Sequence, residues 1–198
     1  RAVVGCALAH TVGAVRLREQ WRVVKGYALG RDLLAVTHCW QRPEGGEVIV
    51  AAKGAPEAIA KLCRADAALH AAILDQTAQI AARGRRVLGV AEARFNGSEF
   101  PTRPTGFTFR FLGLIALADP VRPAVPQAIR ECYEAGIRVV MITGDYPGTA
   151  QSIADEIGLK SPGGVLTGAQ LERLSAAQLR TRAAEVSIFA RVVPEQKL

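Results

Sequence analysis

The sequence contains no C-x-x-C pair, and its four cysteines (Cys6, Cys39, Cys63, Cys132) stand far apart with no histidine ladder between them. That spacing excludes a zinc-ribbon or zinc-finger site. It reads as four reduced, mostly buried thiols in a cytosolic domain. No apolar run approaches the roughly 20 residues that cross a bilayer. The longest weakly polar stretch, Ala2 to Val15, carries His10 and Thr11, and the spacing of Val4, Leu8, Val12 and Val15 predicts an amphipathic helix. No Met opens the chain, which predicts that Arg1 is an internal residue of a longer protein. There is no Gly-Lys dipeptide and no G-x-G-x-x-G, so a P-loop and a dinucleotide fingerprint are both excluded on motif grounds. Repeats and low-complexity blocks are absent.

What is present is a globular composition. With 198 residues and 49% hydrophobic content, the chain suffices for two modest cores or one large one. The formal charge of +7 favours anionic partners such as phosphate ligands. Yet the basic residues are scattered, with no run beyond Arg83-Gly84-Arg85-Arg86, and the six Phe fall mostly within apolar runs. A nucleic-acid interface would need clustered cations beside exposed aromatics, so the sequence predicts no nucleic-acid partner.

Two grammars follow one another along the chain. Asp32 to Trp40 reads as a strand, "RPEGG" as a turn and Glu47 to Lys53 as the returning strand. Helices are predicted from Pro56 to Cys63 and from Ala67 to Ala82, and a third strand from Arg86 to Ala93. Asn96 to Gly106 holds two prolines and two glycines and reads as a linker. Beyond it come a long strand over 107–119, a helix from Val125 to Ala135, a strand from Ile137 to Ile142 and a helix from Pro147 to Ile157. A helix from Ala169 to Arg182, broken near Ser175, and a strand from Val186 to Ala190 complete the pattern. Strands alternating with helices predict a parallel sheet. The fold class is therefore α/β. Residues 1–106 form an α+β unit with an antiparallel sheet, and residues 107–198 form a partial unit with a parallel sheet.

Three short motifs carry the chemistry. In "RVVMITGDYPG" an apolar strand runs into Thr143-Gly144-Asp145, and a helix opens at Pro147. Ligands of parallel α/β sheets bind at the carboxyl ends of strands. There a hydroxyl, a glycine amide and a helix N-terminus suit a phosphoryl oxygen. A strand-to-helix turn capped by Asp145 is the plain structural alternative. "SIFARVVPEQKL" repeats the design, with Arg191 after the strand and Lys197 six residues on, where an ammonium could neutralise a transferring phosphoryl group. In "AAKGAPEAIAKLC", Lys53 ends a strand, Gly54 allows close backbone approach and Pro56 opens a helix.

"KGAPE" (Lys53 to Glu57), "DPVR" (Asp119 to Arg122), "MITGD" (Met141 to Asp145) and "FARVVPEQK" (Phe189 to Lys197) occur in that order. Together they resemble a P-type cation-transporting ATPase, closest to the calcium-pump-like bacterial members, over nearly the whole chain. The resemblance implies that residues 1–106 are most of a nucleotide-binding domain. Residues 107–198 would be the second part of a phosphorylation domain with a haloacid-dehalogenase-like sheet. It assigns nucleotide contacts to Tyr27 (stacking on adenine), Lys53, Gly54, Arg86 and Arg191, places Asp119 in a hinge, and sets Thr143, Gly144, Asp145 and Lys197 at the phosphoryl site. It implies ATP and Mg2+, with the magnesium ligands mostly outside this chain. The partners would be a transported cation and the rest of a pump. Location would be the cytoplasmic face of the bacterial plasma membrane, the fragment itself being soluble.

Departures from the family pattern are specific. Asp32 stands near an expected Lys, and Val121 replaces a common Pro. The D-K-T-G-T motif of the phosphorylated Asp is missing, and Thr149 occupies the position four residues after Asp145 where a magnesium carboxylate would fall. The fragment alone is thus expected to be inactive. A haloacid-dehalogenase-like phosphatase would need an Asp-x-Asp motif, which is absent. A non-catalytic nucleotide-binding module remains the other alternative.

Overall fold

The computed structural model describes residues 20–30, 32–193 and 196. The helix expected over Ala2 to Val15, Cys6, Arg31 and Lys197 lie outside the described residues. The chain divides into two compact units. One holds the described residues up to Asp75 together with Leu88–Leu117, and the other holds Gln76–Val87 together with the described residues from Ala118 onward.

The first unit is built on a sheet of five strands in sequential order: β1 (Arg22–Tyr27), β2 (Ala35–Gln41), β3 (Val48–Gly54), β4 (Arg86–Phe95) and β5 (Arg110–Leu117). The pairs β1/β2, β2/β3 and β3/β4 are antiparallel. Strand alternation sorts the side chains. Ala35, Thr37 and Cys39 of β2 and Val48, Val50 and Ala52 of β3 are buried, while Val36, His38, Ile49 and Ala51 between them are half-buried. The buried face meets helix α1 (Pro56–Leu62), whose Ile59 and Leu62 join Val50, Ala52, Ala91, Ala93, Phe107 and Phe109 in one core. Phe107 sits at the hub of an aromatic cluster, edge-on to Tyr27, Phe95 and Phe109 at 5.4–5.9 Å. Most of the Phe are therefore core.

Two glycines allow this packing. A Cβ on Gly54 would stand 2.3 Å from the Leu34 carbonyl oxygen and 2.5 Å from Ala35 Cα, and one on Gly89 would stand 2.9 Å from Ile59 Cβ. Helix α2 (Ala67–Ala81) follows, with Asp66 accepting the Leu69 N–H at its start.

The structure differs from the sequence expectation after β4. Residues 96–106 connect two neighbouring strands of one sheet, and β5 extends the first unit to Leu117. The segment is fastened to that unit. Tyr27 Oη donates to the Pro101 carbonyl at 2.6 Å, Arg103 pairs with Asp32 at 2.9 Å, and Phe100 stacks on Phe95 at 5.1 Å. Proline and glycine mark a turn in the chain; they do not say whether it joins two domains or two strands.

In the second unit a parallel sheet runs in the order β6 (Met141–Ile142), β8 (Ile188–Ala190), β7 (Val165–Thr167). Helices α3 (Val125–Glu134) and α4 (Pro147–Ile157) supply Ile129, Ala150, Ala154 and Ile157 to a core with Ile188 and Ala190. Gly158, in the left-handed region at φ 72°, ends α4, and the Leu159 N–H closes back on the Ala154 carbonyl. The break expected near Ser175 is a cap. Thr167 and Ser175 each form a reciprocal capping box, with Gln170 opening α5 (Gly168–Leu171) and Gln178 opening α6 (Ala176–Glu185).

The buried strand expected from Ile137 to Ile142 shrinks to two paired residues. Strand β6 has β8 as its neighbour on one side only among the described residues, and Ile137, Val140 and Ile142 are exposed. An apolar run is buried on both faces only where helices or another layer cover both faces of its sheet.

Gly54→Ala tests the close approach directly. The clash is with backbone, which cannot swing aside, so the substitution is expected to lower unfolding stability by about 1–3 kcal/mol in a urea titration.

Candidate functional site

Register decides which sequence-predicted residues share a face of the first sheet. Lys53 pairs with Val36 on β2 and with Val90 on β4, so all three project from the half-buried face. Lys53 itself is exposed. Tyr27 pairs with Thr37, which is fully buried, and its ring packs on the helix-covered core. Tyr27 and Lys53 therefore stand on opposite faces of one sheet. Burial pushes the Tyr27 phenol up, with Cys39 adding to the effect, and its hydroxyl is committed to Pro101. The structure gives Tyr27 a packing role and does not bring it to Lys53.

A bulge explains why the sequence hid this. The β1/β2 register shifts between Val23 and Lys25, and a slip of one residue sends every later side chain to the other face. Gly54 has a packing reason of its own, the Leu34 carbonyl already described. Asp32, standing where a cation was expected, is paired with Arg103. A cavity of about 640 Å³ in this unit is lined by Ala28, Leu33, Lys61, Leu62 and Arg103 and takes in none of the predicted site residues.

In the second unit the strand-end turn is laced together. The Thr143 N–H donates to the Phe189 carbonyl at 2.8 Å as β6 ends. Thr143 Oγ1 accepts the Asp145 N–H at 3.1 Å and donates to Asp145 Oδ2 at 3.0 Å. The chain leaving β8 returns the contact: the Arg191 N–H donates to the Asp145 carbonyl and the Val192 N–H to the Thr143 carbonyl, both at 3.1 Å. Arg191 Nη1 reaches the Gly144 carbonyl at 3.3 Å, and its guanidinium lies 5.6 Å from the Tyr146 ring centroid. Arg191 holds φ 52°, an unusual backbone for a side chain with a Cβ, sustained by these bonds.

Arg86 belongs to this unit as well. Its Nε lies 3.2 Å from Asp145 Oδ1. Thr143, Gly144, Asp145, Arg191 and Arg86 are thus brought together, whereas Asp119 sits exposed in the loop between β5 and α3. The Arg86–Asp145 pair is a link that sequence reasoning missed, since nothing in either motif points to the other. With Arg86 58% exposed, the pair adds at most about 1 kcal/mol to stability.

Magnesium does not fit these residues. Asp145 is the lone carboxylate of the turn and is engaged by both Arg86 and Thr143. The described residues include no group of three His, Cys, Asp or Glu that could hold a metal ion, and hard divalent cations take about six oxygen ligands. No helix among the described residues is long and apolar enough to cross a membrane.

The family model for the cytoplasmic N domain of P-type ATPases matches residues 33–124. The chain belongs to the P-type cation-transporting ATPases. A probable cation-transporting ATPase F of Mycobacterium tuberculosis is 41% identical over 183 residues, covering 85% of this chain and 20% of that protein. A calcium-transporting ATPase of Bacillus subtilis is 40% identical over 121 residues, 60% of this chain and 14% of its own length. The sodium/potassium-transporting ATPase alpha subunit of Drosophila melanogaster is 32% identical over 192 residues, 74% and 18%. The chain spans about a fifth or less of the length of these curated relatives.

One hydrogen bond anchors the helix that follows the Thr143–Asp145 turn. Thr149, 1% exposed at the start of α4, donates its hydroxyl to the Arg85 carbonyl at 2.9 Å. Thr149→Val keeps the shape and removes the donor of this part-buried bond. The expected cost is about 1–3 kcal/mol, read as a lowered unfolding midpoint, and Thr149→Ser should recover most of it.

Proposed function

We propose that this chain is the nucleotide-binding and phosphoryl-handling part of a pump that couples ATP hydrolysis to cation transport. The observation that carries the nucleotide part is Lys53, exposed at the end of a strand on the open face of the first sheet beside Val36 and Val90. An apolar floor with one cation at its margin suits a heterocyclic base attached to polyphosphate. In the second unit, Thr143 and the Gly144 amide would receive phosphoryl oxygens at the carboxyl end of β6, where α4 begins. Arg86 would exchange its Asp145 contact for a phosphate oxygen.

In the parent protein a carboxylate oxygen of an Asp in a D-K-T-G-T motif would attack the γ-phosphorus. The bond to the β-bridging oxygen would break and ADP would leave, giving an aspartyl phosphate that water later hydrolyses. Such a loose transition state responds mainly to positioning and charge neutralisation, tasks that would fall to Thr143, Arg191 and Lys197. Relatives named for calcium and for sodium and potassium are both similar to this chain, so the proposed cargo is a cation. Mg2+ would arrive with the nucleotide.

The sequence has no D-K-T-G-T motif, so the 198-residue chain by itself acts as a non-catalytic nucleotide-binding module. Calorimetry should find weak ATP binding, near a millimolar, worth about −4 kcal/mol. Lys53→Ala is expected to weaken it about tenfold, and Tyr27→Phe to leave it unchanged. Steady phosphate release by the chain alone, or an affinity indifferent to Lys53, would contradict the reading.

A further inference from the structure

Asn96 is the only asparagine in the sequence, and Gly97 follows it. The pair lies just past the end of β4, outside any helix or strand, and both residues are exposed. No hydrogen bond to the Asn96 carboxamide or from the Gly97 N–H occurs among the described residues. Packing explains why position 97 is a glycine. A Cβ there would stand 2.6 Å from Phe95 Cζ and 2.8 Å from Phe95 Cε2. The Phe95 ring is itself held: Phe100 stacks on it with centroids 5.1 Å apart, and Phe107 meets it edge-on at 5.4 Å. The core therefore demands a residue without a side chain directly after an exposed asparagine.

We propose that Asn96 is a site of spontaneous deamidation, and that its isoaspartyl product loosens the loop joining β4 to β5. Asparagine is among the thermolabile residues, and a glycine after it leaves the attacking nitrogen unhindered. The Gly97 backbone nitrogen bonds to the Asn96 side-chain carbonyl carbon and gives its proton to solvent base. The bond from that carbon to the side-chain nitrogen breaks, and the nitrogen takes up a proton and leaves as ammonia. A five-membered succinimide results. Water then opens the ring at either carbonyl, giving aspartate or isoaspartate, and no oxidant or reductant is needed. Both products put a carboxylate where a neutral amide stood. Isoaspartate also routes the main chain through the former side chain, adding one backbone carbon between Phe95 and Gly97. The extra length falls where Gly97 lies against the Phe95 ring. The fasteners of the loop, Phe100 on Phe95, Pro101 to Tyr27 and Arg103 to Asp32, all follow it. Asn96-Gly97-Ser98 also spells an N-glycosylation acceptor. The family model that matches this segment describes a cytoplasmic domain, which favours deamidation over sugar attachment.

The test is incubation of the 198-residue chain in warm, mildly alkaline buffer, with ion-exchange separation and peptide mapping of the products. The folded chain should accumulate a species with one added negative charge and the small mass gain of exchanging NH2 for OH. Mapping should find aspartate and isoaspartate at position 96, formed faster as pH rises. Asn96→Gln, which would need a less favourable six-membered ring, should yield no such species. A parallel sample held unfolded in urea shows whether the native loop permits the reaction. An intact amide in the folded chain, beside conversion in urea, would overturn the site, as would an amide intact in both. The separated isoaspartyl species should unfold at lower urea than fresh protein. Asn96→Asp carries the charge without the extra backbone carbon and should keep the fresh midpoint. An isoaspartyl species as stable as fresh protein would overturn the loosening. Mapping of the wild-type chain decides the first point even if a variant fails to fold.

Discussion

The first unit depends on the two-residue period of its strands, which gives one sheet two unlike faces. On one face, Val50, Ala52 and Ala91 meet Ile59 and Leu62 of helix α1, and the contact is close because Gly54 and Gly89 present no side chain. On the other face Val36, Ala51 and Val90 stay half-buried with Lys53 exposed among them. Burying the first face supplies most of the core, and the second face stays half-buried. The Lys53 side chain is tolerated there because it is exposed to water.

The second unit solves a different problem, that of holding a strand-end turn in place. Its central strand, β8, is buried at all three positions. The turns that leave β6 and β8 are tied to one another by backbone bonds from Arg191 and Val192 to Asp145 and Thr143. That lacing holds Arg191 in a backbone conformation that it would not adopt alone. It also fixes the Asp145 carboxylate between the Thr143 hydroxyl and Arg86. The turn is rigid through main-chain bonds, while its charged contacts remain at the surface and can be exchanged.

Element identity was largely legible in the sequence, because it rests on local signals. Pro56 and Pro147 open helices as expected, and Ser175 marks a cap. The alternation over residues 35–41 and 48–54 is a true half-buried hairpin. Side assignment was not legible for Tyr27, since the bulge before Lys25 changes the parity of the strand, and no residue type announces a bulge. Strand β7 was missed because three residues, Val165–Thr167, leave too short a pattern to read. The length of β6 was overestimated because an apolar run does not reveal how many neighbours its strand will have. Of the candidate site, the Thr143–Asp145 turn and its proximity to Arg191 followed from motif placement at strand ends. The Arg86–Asp145 pair, 59 positions apart, needed coordinates.

Which face of the first sheet takes the base decides the matter, and methyl groups report faces where amides do not. The most direct measurement is a methyl-resolved NMR titration of the chain with ATP. Val36 and Val90 point to the open side, and Val50 and Ile59 point to the helix-covered side. A purine ring lying on the open side should move the Val36 and Val90 methyls through its ring current and leave Val50 and Ile59 in place. ATP binding that moves the Val50 and Ile59 methyls, with Val36 and Val90 unchanged, would contradict the account.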